Sequence, residues 1–217
     1  DARRVVVKIG SKSIARGDTP GAGRFVQVAA QVARARARGQ SVVLVAAGAI
    51  ARGFVRRGMK SRPQTIALLQ ASAAAGQSQL MSAYEDAFAP HEIPVAQVLL
   101  THADLADRDR YLNARAALEA LVGLGAVPII NENDTVAVEE IKFGDNDQLA
   151  GMVATLVGAE LLVLLTDVEG LLDASGARVA VVADVSEAAS LVRVSTSDVG
   201  TGGMASKLAS ARAATKR

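Results

Sequence analysis

The sequence contains no cysteine and no tryptophan, and aromatic residues make up only 3% of its 217 residues. Without cysteine, disulfide bonds, thiolate catalysis and cysteine-ligated metal sites are excluded. Because aromatic side chains are so few, the hydrophobic core has to be built from Val, Leu, Ile and Ala. The overall hydrophobic content is nevertheless 50%, so the chain is long and apolar enough to bury one sizeable core.

Long apolar runs and runs of one charge are also missing. The apolar stretch at residues 161–165 is too short to span a bilayer, and the N-terminus shows no signal-peptide pattern. The net charge is +2, and no basic tract with interleaved aromatics suggests nucleic-acid binding. We therefore expect a cytoplasmic protein with no membrane and no nucleic acid among its partners. A solvated helix end is our interpretation of the densest basic stretch, which comprises Arg52, Arg56, Arg57, Lys60 and Arg62.

The two histidines, His91 and His102, are not part of any local metal-ligand pattern. We interpret both as surface or loop residues, and we assign no metal ligand from the sequence.

Short apolar runs alternate with longer segments of helical periodicity. Strands are predicted at residues 4–9, 41–45, 95–100, 126–130 and 160–166, and helices at residues 23–38, 49–58, 63–88, 111–123, 145–157 and 208–214. Most of the strands are apolar at consecutive positions, which indicates burial on both faces, as in a mostly parallel sheet. The alternation predicts an α/β fold: a three-layer αβα sandwich with helices on both faces of a mostly parallel central sheet.

Several boundary residues support these elements. Pro63 fits the first position of a helix, and Gly39 and Gly123 fit helix C-terminal caps. A hairpin is the alternative for residues 136–143, whose mixed pattern is interrupted by two acids. No repeat, low-complexity linker or second domain is visible, so residues 1–217 are interpreted as one domain.

Polar and glycine residues follow the predicted strands. In parallel α/β folds, ligands bind beyond the carboxyl ends of the strands, so these residues are the candidates for a binding site. They are Lys8, Gly10, Ser11, Gly48, Asn131, Glu132, Asn133, Asp134, Thr135, Thr166 and Asp167, with Gly144, Asp145, Asn146 and Asp147 at the start of a predicted helix. A set of polar and glycine residues from several segments at one sheet edge is harder to explain by chance than any one of these segments alone.

Residues 200–207 place three glycines and Lys207 ahead of a predicted helix. Glycines let backbone N–H groups approach an anion closely, and the helix N-terminus adds partial positive charge. Lys207 could reach the same anion as a point charge. The loop is not a Walker A motif, because the G-K-[ST] ending is missing. A plain glycine-rich turn before a helix is the alternative.

Lys8 closes an apolar strand and precedes a glycine turn, so its ammonium must either meet an anion or extend to water. Together with Lys207 it could flank a phosphoryl group, because phosphoryl transfer requires positioned cations around the equatorial oxygens. Residues 144–147 could simply cap a helix, but three polar groups exceed that need. A carboxylate there could order the two lysines or bind a metal-bound water.

For two other segments, a purely structural role explains the residues as well as a binding role does. A turn explains residues 131–134 as well as a binding role does, because turns favour Asn and Asp. Thr166 and Asp167 could meet a nucleotide base or ribose, or could be a plain strand end.

Read together, these segments resemble one known family. The matching motifs are Val5-Val6-Val7-Lys8-Ile9-Gly10-Ser11, Gly48-Ala49-Ile50-Ala51, Arg110-Tyr111-Leu112-Asn113-Ala114-Arg115, Asn131-Glu132-Asn133-Asp134, Phe143-Gly144-Asp145-Asn146-Asp147, Leu164-Leu165-Thr166-Asp167 and Gly200-Thr201-Gly202-Gly203-Met204. In this order they resemble the glutamate 5-kinases, a branch of the amino acid kinase group. The combination of N-E-N-D, G-D-N-D and G-T-G-G-M is specific to that branch.

The resemblance implies ATP-dependent phosphorylation of the L-glutamate side-chain carboxylate to L-glutamyl 5-phosphate, the first step of proline biosynthesis. It also implies Mg²⁺, feedback inhibition by proline, and a homo-oligomer. Lys8 and Lys207 would stabilise the transition state, and Asp147 would organise them. The implied glutamate site comprises Ala47, Asn131, Asp134, Asp145 and Asn146. The implied ATP site comprises Lys8, Gly10, Ser11, Thr166, Asp167, Thr201, Gly202, Gly203, Met204, Ala205, Ser206 and Lys207.

The chain departs from the family pattern in four places. Ala46 and Ala47 stand where the family has hydroxyl residues, so a hydroxyl expected to touch glutamate is absent. Lys12 replaces a small polar residue, and the nucleotide segment at residues 173–195 is short. We also expect a kinase domain that is cut short after Lys207, without the RNA-modification-like (PUA) domain of many relatives.

Two alternatives stay open. One is a sibling amino acid kinase acting on another small acid, against which the N-E-N-D and G-D-N-D pair counts. The other is a catalytically impaired regulatory or binding protein on the same fold, which the two alanines allow. Retention of Lys8, Asp147 and Lys207 counts against the second alternative, because unused buried charges are costly.

Overall fold

The structure, a computed structural model, describes residues 2–11, 23–56, 61–138, 146–188, 191 and 203–215. Its strands are β1 (Arg4–Ile9), β2 (Ser41–Val45), β3 (Val95–Leu100), β4 (Val127–Glu132) and β5 (Leu161–Leu165). Its helices are α1 (Arg24–Ala37), α2 (Ala49–Arg56), α3 (Ile66–Phe88), α4 (His102–Ala106), α5 (Arg108–Gly123), α6 (Asp147–Leu156), α7 (Val185–Ala188) and α8 (Met204–Thr215), with a 3₁₀ turn at Ala89–His91. No helix in these ranges is long and apolar enough to cross a membrane.

The five strands form one sheet in the order β3-β4-β2-β1-β5, and every neighbouring pair is parallel. Lys8 of β1 lies opposite Val45 of β2 on one side and Leu164 of β5 on the other. Because all strands run in the same direction, their carboxyl ends lie along one edge of the sheet. The predicted parallel sheet is confirmed.

The core lies on both faces of this sheet. Successive side chains of a strand point to opposite faces, and β2 shows this directly: Leu44 joins one cluster and Val45 the other. The first cluster contains side chains of α1 and α3, including Tyr84. The second contains side chains of α5 and α6, including Leu118 and Leu149. The predicted three-layer αβα sandwich is therefore confirmed.

The prediction of burial on both faces fails at the outer strand β5. β4 is buried throughout, whereas Leu161 and Leu165 of β5 are 46% and 40% exposed. The reason is position in the sheet: β5 pairs only with β1 among the described residues, and its apolar run does not reveal that.

Local hydrogen bonds move several predicted helix boundaries. α3 begins at Ile66 rather than residue 63, because Thr65 is still extended at φ −86° and ψ 143°. α5 begins three residues early, because the Asp107 side chain accepts a hydrogen bond from the backbone N–H of Arg110. The left-handed residue after α5 is Gly125, at φ 78°, rather than the predicted Gly123.

α4 was not predicted at all. It is a short helix that starts with a capping box, in which Thr101 and Asp104 each bond the other's backbone N–H. Most of the predicted hairpin at residues 136–143 lies outside the described residues. Lys12 lies outside them as well.

Candidate active site

Asp147 lies at the centre of the site, as the first residue of α6, and is fully buried. Its carboxylate contacts two ammonium groups from opposite ends of the chain. Lys8 Nζ lies 2.6 Å from Oδ1, and Lys207 Nζ lies 2.9 Å from Oδ2. The structure thus brings together the three residues to which the sequence assigned catalytic roles.

The environment of Lys8 decides between its two interpretations. Its side chain is only 6% exposed and is paired with a buried carboxylate, so the ammonium does not extend to water. The Lys8, Asp147 and Lys207 side chains together carry a net charge of +1. Burying these charges is costly, and the excess positive charge suits a bound anion such as a phosphoryl group.

Contact between α8 and α6 places Lys207. Ser210 Oγ donates a hydrogen bond of 2.5 Å to the backbone oxygen of Asp147. A Cβ added at Gly151 would lie 2.9 Å from Ser210 Oγ, so a glycine is needed for this approach. Sequence reasoning identified neither Gly151 nor Ser210 as a residue of the site. The available signal was helical spacing, since Gly151 lies one turn after Asp147 and Ser210 lies one turn after Lys207.

Asn146 precedes α6 but its side chain does not cap the helix. Its amide nitrogen instead donates to the backbone oxygen of Ala46 and, at 2.7 Å, to Asn131 Oδ1. The Asn146 side chain therefore does not provide the helix cap that was the alternative for residues 144–147. Asp145, the other predicted substrate residue in this segment, lies outside the described residues.

A cavity of about 170 Å³ opens beside these residues, at the carboxyl ends of the strands. Four predicted substrate residues and one predicted ATP residue are among those that line it: Ala47, Asn131, Asp134, Asn146 and Ser11. The N-terminal residues of α2, including Ala49 and Ile50, form another part of its lining. The structure therefore places residues from distant segments around one small cavity.

Two charged cavity residues were given no specific binding role by sequence reasoning. Glu132, the last residue of β4, is buried; its position at a strand end placed it among the candidates, with a turn as the alternative. Arg62 was interpreted as part of a solvated helix end. Nothing in the local pattern around Arg62 indicates that it returns to this cavity.

His102 and Arg52 also differ from their sequence interpretation. His102 begins α4, is 28% exposed at its side chain, and has Nδ1 3.7 Å from the Glu132 carboxylate. Arg52 is partly buried rather than fully solvated, and its guanidinium carbon lies 4.9 Å from the centroid of the Phe25 ring.

Three of the predicted ATP residues, Gly10, Thr166 and Asp167, lie at the same edge. A Cβ at Gly10 would be 3.8 Å from Lys8 Nζ and 4.0 Å from the Leu165 backbone oxygen, so the turn after β1 is close to the end of β5. Thr166 and Asp167 follow β5 and are exposed. The exposed residues after β5 therefore lie next to the turn that carries Gly10.

The N-terminus of α8 approaches this edge. Gly203 precedes the helix, and its oxygen accepts hydrogen bonds from the backbone N–H groups of Ser206 and Lys207. Met204 and Ala205 complete this first turn. Thr201 and Gly202 lie outside the described residues.

A metal site is not evident in the part of the chain that the structure describes. No group of three or more His, Asp or Glu side chains there could hold a metal ion. Mg²⁺ in kinase sites often binds through one or two carboxylates together with substrate phosphates. We therefore assign no residue of this chain to Mg²⁺.

Comparison with known proteins agrees with the site. The chain is 50% identical over 224 residues to the glutamate 5-kinase of Pelobacter propionicus, covering 99% of this chain and 60% of that protein. It is 51% identical over 224 residues to the glutamate 5-kinase of Myxococcus xanthus, covering 98% of this chain and 58% of that protein. The chain thus spans about 60% of the length of these curated relatives.

A solved structure shows the same fold at greater distance. N-acetylglutamate synthase from Neisseria gonorrhoeae, in complex with coenzyme A and N-acetyl-glutamate, has a TM-score of 0.65 and 20% identity, covering 98% of this chain and 51% of that one. The family profile described as "Amino acid kinase family" matches residues 3–217. This match covers nearly every residue of the chain, and it is consistent with the two lysines on one aspartate at the sheet edge. The chain therefore belongs to the amino acid kinase family.

Proposed function

We propose that residues 1–217 form an amino acid kinase domain with glutamate 5-kinase activity. The reaction is transfer of the γ-phosphoryl group of ATP to the side-chain carboxylate of L-glutamate, which gives L-glutamyl 5-phosphate and ADP. The observation that carries the proposal is the Lys8–Asp147–Lys207 cluster beside a small cavity. Identity of about 50% to curated glutamate 5-kinases supports it.

The cluster suits the charge changes of this reaction. A carboxylate oxygen of the substrate forms a bond to the γ-phosphorus, and the bond from that phosphorus to the bridging oxygen breaks, with the electron pair leaving on ADP. Negative charge is spread over the equatorial oxygens during transfer, and two positioned ammonium groups stabilise it. Asp147 holds both groups in place through its two carboxylate oxygens.

The cavity suits a small amino acid with an extra carboxylate. Its volume of about 170 Å³ is below the roughly 300–1,000 Å³ of pockets for drug-sized ligands. Arg62 offers a cation for a carboxylate, and Glu132 and Asp134 offer anions for an ammonium group. The N-E-N-D and G-D-N-D segments favour glutamate over other small acids by resemblance.

The rest of the assignment is proposed on the resemblance alone. It comprises Mg²⁺ as the counter-ion of ATP, proline as a feedback inhibitor, a homo-oligomer, a cytoplasmic location and a place at the start of proline biosynthesis. Mg²⁺ would supply charge neutralisation on the nucleotide phosphates. No step above depends on a residue that holds it.

A hydroxamate assay with ATP, Mg²⁺ and a panel of small acids tests the proposal. We expect wild-type protein to form hydroxamate from L-glutamate in preference to L-aspartate and N-acetylglutamate. Asp147→Asn should lower kcat by roughly 10²–10³-fold, because the lysines lose their anchoring charge while the side-chain shape is kept. Asp86→Asn, at an exposed position of α3, is the matched control and should behave as wild type.

Two outcomes would overturn the proposal. Preference for another acid would make the protein a sibling kinase, and no hydroxamate with any acid would make it a binding protein on this fold. Wild-type turnover in a folded Asp147→Asn variant, checked by thermal melting, would remove Asp147 from the mechanism.

A further inference from the structure

Four side-chain amides form a continuous hydrogen-bonded row from the surface of β3 to the cavity. We call this the amide row, and its members are Gln97, Gln77, Asn131 and Asn146. Gln77 Nε2 donates to Gln97 Oε1 at 2.9 Å, Asn131 Nδ2 donates to Gln77 Oε1 at 2.8 Å, and Asn146 Nδ2 donates to Asn131 Oδ1 at 2.7 Å. Three members are buried, and Gln97 is exposed.

Backbone groups at two points fix the direction of the row. The Ala46 carbonyl can only accept, so Asn146 must turn its nitrogen toward it. The backbone N–H of Glu132 can only donate, and at 2.9 Å it requires the oxygen of Asn131. Every other orientation in the row follows from these two, because each amide must meet its neighbour donor to acceptor.

This direction determines what Asn146 can offer to a ligand. A side-chain amide has two N–H donors, and Asn146 gives both of them to groups of the protein. Within the described residues no hydrogen bond reaches its carbonyl oxygen, which can therefore meet a molecule in the cavity that Asn146 lines together with Glu132 and Asp134. A ligand group that meets these oxygens must be a donor. An ammonium group, which has three donors and no acceptor, fits this requirement.

Gln77 is the member that supports the orientation from outside the cavity lining. It is buried on α3, directly after Gly76, and a Cβ at Gly76 would lie 1.8 Å from the Ala49 backbone oxygen on α2. The close contact of the two helices holds the Gln77 backbone at a fixed distance from the cavity. Gln77 Oε1 then supplies the acceptor that the Asn131 amide nitrogen needs.

We propose that Gln77 is a positioning residue that holds Asn131, and through it Asn146, so that Asn146 presents its carbonyl oxygen to the ammonium group of an amino-acid substrate. The inference rests on the proposed function and adds how the site selects an amino acid over a plain dicarboxylic acid. Without the Gln77 oxygen, a buried N–H of Asn131 loses its partner. Asn131 is then held by the Glu132 N–H alone, so its amide can tilt toward another acceptor, and Asn146 keeps its bond to Ala46 but loses a firmly held second partner.

Gln77→Met in the intact protein tests the inference by comparing L-glutamate with glutarate, which is glutamate without its ammonium group. We expect the KM for glutamate to rise about tenfold, with kcat within about twofold of wild type, because a ground-state recognition contact is lost. The inhibition constant of glutarate, measured in competition with glutamate, should stay unchanged. A general loss of pocket shape would weaken both molecules alike.

Three further variants make the result specific. Gln79→Met is the matched control on the same helix, because the hydrogen bond that Gln79 donates within the described residues goes to the Ala75 backbone oxygen of its own helix, and it should leave both constants unchanged. Gln77→Glu keeps an oxygen opposite Asn131 and should restore most of the glutamate KM. Gln97→Met changes the exposed end of the amide row, so we expect it to fold even if Gln77→Met does not. It should raise the glutamate KM by a smaller factor than Gln77→Met.

The inference is overturned if Gln77→Met has the glutamate KM of Gln79→Met, or if glutamate and glutarate weaken equally. If Gln77→Met does not fold, an unchanged glutamate KM in Gln97→Met overturns it. A wild-type protein that transfers no phosphoryl group to glutamate overturns the proposed function and this inference together. That outcome is visible before any variant is made.

Discussion

Asp147 holds two lysines because its two carboxylate oxygens face different elements, β1 on one side and α8 on the other. Each oxygen has its own ammonium partner, at 2.6 Å and 2.9 Å. One residue therefore aligns two cations whose backbone positions are set independently. The neighbouring Asn146 uses the same helix start to face the cavity.

Ala47 gives a residue-scale prediction, because it is 7% exposed and lines the cavity. Ala47→Ser adds a hydroxyl where the family resemblance expects a contact to glutamate. A hydrogen bond to a charged group contributes roughly 1.5–3 kcal/mol, so the KM for glutamate should fall by about ten- to a hundredfold. The KM for ATP should stay the same in steady-state kinetics.

Ala46→Ser is the matched control for that change. Ala46 is fully buried in the core cluster, so its added hydroxyl should lower stability without lowering the glutamate KM. A glutamate KM that stays constant or rises in folded Ala47→Ser would show that the substrate lies elsewhere in the cavity.

The sequence predicted some site residues and missed others for a physical reason. Lys8 and Asp147 are charged residues next to apolar segments, and such a charge requires a partner, so local sequence reveals them. Gln77 and Arg62 have no such local sign. Gln77 looks like any polar residue of a long helix, and only the packing of α3 against the sheet shows that it meets Asn131.

At the scale of elements, α2 and α3 make the tightest glycine contact of the described structure. A Cβ at Gly53 would lie 1.8 Å from the Ser72 backbone oxygen, and one at Gly76 would lie 1.8 Å from the Ala49 backbone oxygen. Each helix therefore needs a glycine facing the other's backbone. Because α2 lines the cavity, this contact also sets the position of the cavity lining.

Gly76→Ala should push α2 away from α3, since backbone atoms cannot yield as a flexible side chain does. We expect a loss of stability of about 1–3 kcal/mol or more, typical of overpacking, measured by denaturant unfolding. The KM for glutamate should rise as well. Gly123→Ala is the control: it lies in a helix with nothing within 4 Å of the added Cβ, and should be neutral or stabilising. Equal stability of Gly76→Ala and wild type would contradict the prediction.

Elements differed in how well the sequence predicted them. The long helices and the central strands have enough residues for their periodicity to stand out. α4 has five residues, too few for a period, and depends on the capping box of Thr101 and Asp104. Burial tends to raise the pKa of the Asp104 carboxyl, but hydrogen bonds from Arg110 and Thr101 outweigh burial and hold that pKa below its ordinary value.

At the scale of the whole molecule, Arg4 ties the start of β1 to the helical layer. Its guanidinium donates to both oxygens of Glu119 on α5, and to the backbone oxygen of Val157 after α6. The Arg4 hydrogen bonds, together with the charges of Arg4 and Arg115, hold the pKa of Glu119 below its ordinary value against the opposing effect of burial.

Glu119→Gln should therefore give a stability loss that depends on pH. A carboxylate with a lowered folded-state pKa stabilises the fold above its ordinary pKa of 4.5, and this contribution is lost as pH falls through the folded-state value. The pair is partly exposed, so solvent screening limits the loss at pH 7 to roughly 0.2–1 kcal/mol. Chemical unfolding at a series of pH values measures it. Glu85→Gln, at an exposed position of α3, is the control and should leave the free energy of unfolding at pH 7 unchanged.

A stability difference between wild type and Glu119→Gln that is the same at pH 7 and far below the ordinary pKa of 4.5 would contradict this account.

The overall architecture itself was predictable, because alternating strands and helices leave few arrangements other than a parallel sheet between two helical layers. Strand order was not predicted. The position of β5 beside β1 depends on contacts between segments about 150 residues apart.

The pairing of Lys8 and Lys207 on one carboxylate has a consequence for the synthesis of this protein on the ribosome. The ribosome releases Lys8 first and Lys207 about 200 residues later, which at 5–20 residues per second takes at least roughly ten seconds. Until α8 docks on α6, Asp147 has only one of its two ammonium partners. On the proposed chemistry, a nascent or prematurely terminated chain cannot complete the phosphoryl site. Such a chain would release no reactive acyl phosphate before its domain is finished.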